Sequence, residues 1–96
     1  MKRDRVFERD DYRCVYCGQR FAADELSVDH VEPQVRGGDQ SSGNLVTACK
    51  ACNTLKGHRR VSEFLRENAV ARESFLRHAQ HLWPRIRRTL LEELEP

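Results

Sequence analysis

The chain of 96 residues contains no run of about 18 apolar residues, so no segment of it reads as a membrane-spanning helix. Its first residues, Met1-Lys2-Arg3-Asp4-Arg5, are charged and have no hydrophobic stretch behind them, which argues against an ordinary secretory leader. The expectation is an intracellular, cytoplasmic and reducing setting, where paired cysteines bind metal more often than they form disulfides. Internal repeats, low-complexity tracts and linkers are also missing, so nothing divides the chain into two cores. Net charge is scant as well. A formal +2 is too small to argue for a nucleic-acid partner by itself.

What is present is unevenly placed. Lys56-Gly57-His58-Arg59-Arg60 and Arg85-Ile86-Arg87-Arg88 are local basic clusters. Each reads either as a solvated face or as a phosphate contact, and arginine suits the second through bidentate bonding. Residues 3–12 suggest a short helix with Val6 and Phe7 inward, interrupted at Asp10-Asp11-Tyr12. Phe21 and Leu26 are core candidates. Residues 26–31 alternate apolar and polar over strand length, with Leu26 and Val28 on one side and Asp29 and Val31 on the other. Asp29 and His30 then take opposite faces unless the strand bends. Pro33 should end the strand, and Gly37-Gly38 with Ser41-Ser42-Gly43 mark a loop over 34–43.

Residues 44–48 suggest a second strand, and residues from 49 or 50 to Lys56 a helix closed by Gly57. Ser62 suits the N-cap of a longer helix bearing Phe64, Leu65, Ala71, Phe75, Leu76, Ala79 and Leu82 as one apolar stripe. Pro84 should stop or kink that helix near Leu82. A last segment over 85–94 has Ile86, Leu90, Leu91 and Leu94 on one side. The expected division is a core over 1–60 and a helical cover over 61–96, folded as one domain, with Trp83 among the covering side chains.

The four cysteines form two pairs, Cys14-x-x-Cys17 and Cys49-x-x-Cys52. Two such thiolate knuckles suit one tetrahedral zinc ion. Gly18 follows the second cysteine of the first knuckle, where the backbone must turn with positive φ. Two disulfides or a redox dithiol are the other readings. The first conflicts with a reducing compartment, and the second needs a single pair in a βαβ context. Four thiolates leave a metal no open position, so this zinc would be structural.

Between and beside the knuckles lie Asp29-His30, Asn44 and Asn53. Phosphodiester hydrolysis at neutral pH needs a base to activate water, and imidazole suits it. It also needs a hard cation to bear the charge developing on phosphate, and carboxylate and amide oxygens hold such ions. Taken singly, Asp29 and Asn53 read as turn or helix-end residues. His58, His78 and His81 read as structural. His78 and His81 could share a metal, but no third ligand is near them in sequence.

Asp29-His30, Pro33, Gly37-Gly38, Asn44-Leu45, Cys49-x-x-Cys52-Asn53 and Lys56-Gly57, with Tyr16-Cys17-Gly18 upstream, together resemble the HNH endonuclease family in its four-cysteine, zinc-stapled branch. The resemblance covers residues 3–60. It implies an α+β chain with a ββα-metal core around one divalent ion. It implies His30 as general base, Asp29 and Asn53 as ligands of the catalytic ion, and Asn44 as the residue orienting the loop between the strands. Lys56 is implied to touch a phosphate, while Arg59 and Arg60 are weaker candidates for nucleic-acid contact. Asparagine at position 53, where a histidine can stand, favours an oxygen-ligated ion such as Mg²⁺ or Mn²⁺.

The expected partner is DNA, double-stranded, with neither a membrane nor a small-molecule cofactor. One active site cuts one strand, so cutting both needs a dimer or two visits. Two other readings are a zinc-stapled module that grips nucleic acid without cutting, and a protein-interaction domain using the helix after Ser62.

Overall fold

The computed structural model describes residues 3–32 and 41–95. Pro33 and Gly37-Gly38, expected to end the strand and turn the loop, lie outside the described residues. Helix α1 (Arg3–Arg9) buries Val6 and Phe7. It stops short of residue 12 because Asp11 and Tyr12 take left-handed backbone, φ 58° and 56°. Asp10 is thereby released from helical duty. Its carboxylate accepts from the Thr47 backbone N–H at 3.1 Å and from the Thr47 hydroxyl at 2.8 Å. Arg9 donates to the carbonyls of Ser42 and Leu45 at 2.8 and 2.7 Å. The end of α1 is thus clipped to the strand that carries Thr47.

The sheet is a two-stranded antiparallel ribbon of β1 (Leu26–His30) and β2 (Leu45–Cys49). Its register pairs Leu26 with Cys49, Val28 with Thr47, Asp29 with Val46 and His30 with Leu45. A 3₁₀ turn, Ser42–Asn44, delivers the chain into β2. Every residue of β2 is buried, because α1 and the first cysteine knuckle cover it. The knuckle is tied on by the Val15 N–H, which donates to the Thr47 carbonyl at 3.0 Å.

Helix α2 (Lys50–Lys56) follows β2 without a loop. Cys49 caps it through its own sulfur, and Gly57 closes it at φ 63° with its N–H on the Asn53 carbonyl. Two strands and a helix at this spacing form a ββα core, and three further helices extend it.

The expected long helix from Ser62 is two helices, α3 (Val61–Glu67) and α4 (Ala69–His78). Asn68 breaks it. Its side chain accepts from the Ala71 N–H at 3.0 Å, an N-cap bond that requires non-helical backbone at Asn68 itself. Nor is Ser62 the cap of α3. It lies buried inside that helix, whose start is held by the Glu63 carboxylate accepting from the Arg60 N–H at 3.1 Å. Pro84 opens α5 (Pro84–Leu94), where its missing N–H costs no helical bond.

Phe64, Leu65 and Phe75 are fully buried as expected, and so is Leu26. Trp83 is not a core residue; it remains 42% exposed. Its indole instead lies against Gly43, so close that a Cβ there would sit 2.0 Å from the ring. The Trp83 backbone N–H also donates to the Gly43 carbonyl at 3.0 Å. Two residues on, Arg85 pairs with Glu32 at 3.2 Å. The start of α5 therefore grips both described ends of the connection between β1 and β2.

Candidate active site

The four cysteine sulfurs lie within 4.8 Å of one another, close enough to share one metal ion. Local backbone prepares each pair. The N–H groups of Tyr16 and Cys17 point at the Cys14 sulfur at 3.4 and 3.5 Å, and the Cys52 N–H points at the Cys49 sulfur at 3.4 Å. Gly18 turns at φ 76°, as the knuckle requires. Burial pushes the Cys14 thiol up to about 11, although backbone hydrogen bonds pull the other way. Burial, then the charge of Cys14, raises Cys52. Burial would raise Cys49 too, but hydrogen bonds from the Cys52 backbone and the neighbouring thiols outweigh it and lower that group. Crowded sulfurs of this kind ionise together only with a cation among them. Tetrahedral zinc places thiolates about 3.8 Å apart, within reach of this cluster.

The second constellation is built by strand alternation and helix periodicity acting together. Ser27 and Asp29 share one face of β1, two residues apart. Asn53 and Lys56 share one face of α2, three residues apart. The helix lays its face across the strand's. The Asn53 amide nitrogen donates to the Ser27 hydroxyl at 3.2 Å. The Lys56 ammonium reaches the two Asp29 oxygens at 3.3 and 3.1 Å. Lys56 is only 6% exposed, so it is engaged inside the chain rather than presented on its surface.

Asp29 has a second partner that the sequence did not announce. The Tyr16 hydroxyl donates to Asp29 Oδ2 at 2.5 Å. Burial first, and then the Asp29 charge, hold the phenol well above its ordinary range, so it remains a donor. Ser27 was also overlooked. Alternation alone could have found it, because it stands two residues before Asp29. Tyr16 offered no comparable signal.

His30 is the last residue of β1 and is half-buried. The ladder runs unbroken through its pairing with Leu45, so alternation sets His30 and Asp29 to different faces at the ribbon's end. Asn44 is fully buried and faces the same end. Its side-chain oxygen accepts from the Glu32 N–H at 2.7 Å, and its amide nitrogen donates to the Glu32 carbonyl at 3.0 Å. The Asn44 carbonyl accepts from the Val31 N–H at 2.9 Å. These three bonds fix the backbone just beyond His30.

Arg59 and Arg60 are both engaged within the chain. Arg59 donates to the Leu55 and Lys56 carbonyls, pairs with Glu67 at 2.8 Å, and lies 5.2 Å over the Phe64 ring. Arg60 pairs with Glu93 of α5. Their positions tie the end of α2 to the helices that follow.

Over residues 14–69 the chain matches the HNH endonuclease family. Over 52 residues it is 33% identical to the CRISPR-associated endonuclease Cas9 of Corynebacterium diphtheriae, a match taking in 53% of this chain and 5% of that protein. In three dimensions it is similar to the Type II-C Cas9 enzyme from Actinomyces naeslundii, with a TM-score of 0.70 over 98% of this chain and 11% of the other. At 20% identity that second likeness is one of fold. The chain thus spans a small fraction of the length of both proteins. No helix among the described residues is long and apolar enough to cross a membrane.

Proposed function

This chain belongs to the HNH endonuclease family, and from that premise we propose that it hydrolyses phosphodiester bonds of DNA with the help of one divalent ion. The observation that carries the proposal is the ribbon-and-helix face on which Asp29, Asn53 and Lys56 meet, with His30 one peptide away at the strand end. Asp29 and Asn53 would hold the ion, and their oxygen donors suit Mg²⁺ or Mn²⁺. When bound, such an ion supplies charge stabilisation on the phosphate and the leaving oxygen.

His30 takes the proton from the attacking water, and Asn44 keeps it in place by locking the Glu32 backbone. Lys56 supplies positive charge beside the Asp29 carboxylate, and its burial keeps that charge fixed. The cysteine cluster would carry a structural zinc ion, with all four thiolates used for folding. In this reading residues 61–96 cover the core of 1–60 and take no part in the chemistry. The substrate is double-stranded DNA; the Corynebacterium relative is an endonuclease by name, and one active site cuts one strand. A module that only grips DNA draws less support, since Arg59 and Arg60 are already engaged with Glu67 and Glu93.

The test is incubation of the purified chain with supercoiled plasmid in Mg²⁺, Mn²⁺ or chelator. Nicked product that appears with metal and disappears with chelator supports the reading. No product at any metal concentration, from protein that is folded and zinc-loaded, would overturn it.

A further inference from the structure

Tyr16 stands where three parts of the molecule meet. It belongs to the first cysteine knuckle, and its N–H points at the Cys14 sulfur at 3.4 Å. Its ring is edge-on to Phe64 of α3, centroids 5.3 Å apart, and stacked on Phe75 of α4 at 5.7 Å. Its hydroxyl ends on Asp29 Oδ2 at 2.5 Å. The ring is 1% exposed and wedged between two aromatics, so the phenol has almost no freedom of its own. The same Asp29 oxygen also receives Lys56 at 3.1 Å. With two donors fixed on one oxygen, the carboxylate is held in a single rotation.

A ligand held in this way loses little freedom when an ion arrives, and partners behind a ligand typically change metal affinity by about 10–100-fold. An aspartate on a strand end with only solvent behind it would have to be ordered at the moment of binding. Tyr16 is therefore more than a buried phenol that has found an acceptor. A plain structural role would be met equally well by a carbonyl or a serine, whereas here the acceptor is the carboxylate that the proposed chemistry depends on.

We propose that Tyr16 is the positioning residue of Asp29, and that through it the cysteine cluster and the Phe64–Phe75 pair set the affinity of the active site for its divalent ion. This rests on the reading of Asp29 as an ion ligand. Tyr16 itself touches neither ion nor substrate. The connection gives the structural cluster a second consequence: loosening the knuckle disturbs the ion site before the fold is lost.

The experiment uses the full, zinc-loaded chain and measures Mn²⁺ binding by the electron paramagnetic resonance of free Mn²⁺, to which zinc is silent. Four proteins are compared: wild type, Tyr16→Phe, Asp29→Asn and the double variant. Tyr16→Phe keeps the ring and its stacking and removes only the hydroxyl. Its Mn²⁺ dissociation constant should rise roughly tenfold or more, with zinc content unchanged. In the Asp29→Asn background the same change should have no further effect, because the two residues act as one unit.

Wild-type affinity in Tyr16→Phe, or effects that multiply independently in the double variant, would overturn the proposal while leaving Asp29 as a ligand. Equal binding by wild type and Asp29→Asn would overturn the ion-ligand reading and the proposal with it. If Tyr16→Phe fails to hold zinc, Phe64→Leu serves instead: it leaves the hydroxyl in place and loosens the seat of the ring. Weaker Mn²⁺ binding there supports the proposal, and unchanged binding overturns it.

Discussion

Asp29 and His30 are neighbours in sequence with different surroundings, so their loss should be felt differently. His30 ends a strand and is half-buried; Asp29 lies under Tyr16 and Lys56. His30→Ala should lower cleavage by about 10²–10⁴-fold, the usual effect of losing a general base, and leave zinc content and folding intact. Asp29→Ala should instead weaken the catalytic ion, and raised Mn²⁺ should restore part of the activity. It also strands Lys56, a buried cation whose counter-charge is gone, so thermal stability should drop as well. Asn44→Ala removes both side-chain bonds to Glu32 from a fully buried position. The orphaned backbone groups should cost roughly 1–3 kcal/mol each if water cannot reach them. Denaturant melts of that variant, set beside its cleavage rate, check whether stability falls together with activity.

At the scale of elements, α5 is the part that holds the connection between the strands. Trp83 lies on Gly43 and Arg85 pairs with Glu32, so the helix touches both sides of it. Gly43→Ala would drive a methyl group into the indole and should lower the melting temperature by several degrees, with a change in tryptophan fluorescence. An unchanged melt would mean that α5 does not bear on the connection. Removing residues 61–96 should cost more. It strips away Phe64, Leu65 and Phe75, and burying such side chains contributes about 1.5–3 kcal/mol each.

The sequence made the ββα core and the cysteine pairs legible because each depends on neighbours a few residues apart: alternation in 26–31, Cys-x-x-Cys, and a glycine after a helix. It did not reveal the break at Asn68, because the apolar stripe continues in phase on both sides and only the cap bond to Ala71 interrupts the helix. Nor did it reveal that Lys56 lies inside. A lysine in a basic cluster reads as exposed until a carboxylate from a strand 27 residues earlier is set against it. The role of Tyr16 was invisible for the same reason: it rests on packing among the knuckle, β1, α3 and α4.

At the scale of the whole molecule, the cysteine cluster should decide whether the fold persists. The first knuckle is bound to β2 through Val15 and to Asp29 through Tyr16, and the second caps α2. Cys14→Ser or Cys52→Ser should therefore abolish the fold as well as zinc binding, since a structural zinc site generally couples metal binding to folding. Cys14 sits at about 11 without metal, so it is protonated at neutral pH and must lose that proton when metal binds. Protons are thus released on zinc binding, and acidification should drive zinc off. A colorimetric chelator followed against pH, with circular dichroism in parallel, should show the two losses together. Hydrolysis at an ion-bearing Asp29–Asn53 site with His30 as its base is the central claim, and plasmid nicking by matched preparations of wild type and His30→Ala tests it most directly. The account predicts metal-dependent nicking by the wild type and its near-abolition in the variant, with zinc content the same in both. Equal nicking by the two proteins, once contaminating nuclease is excluded, would contradict it.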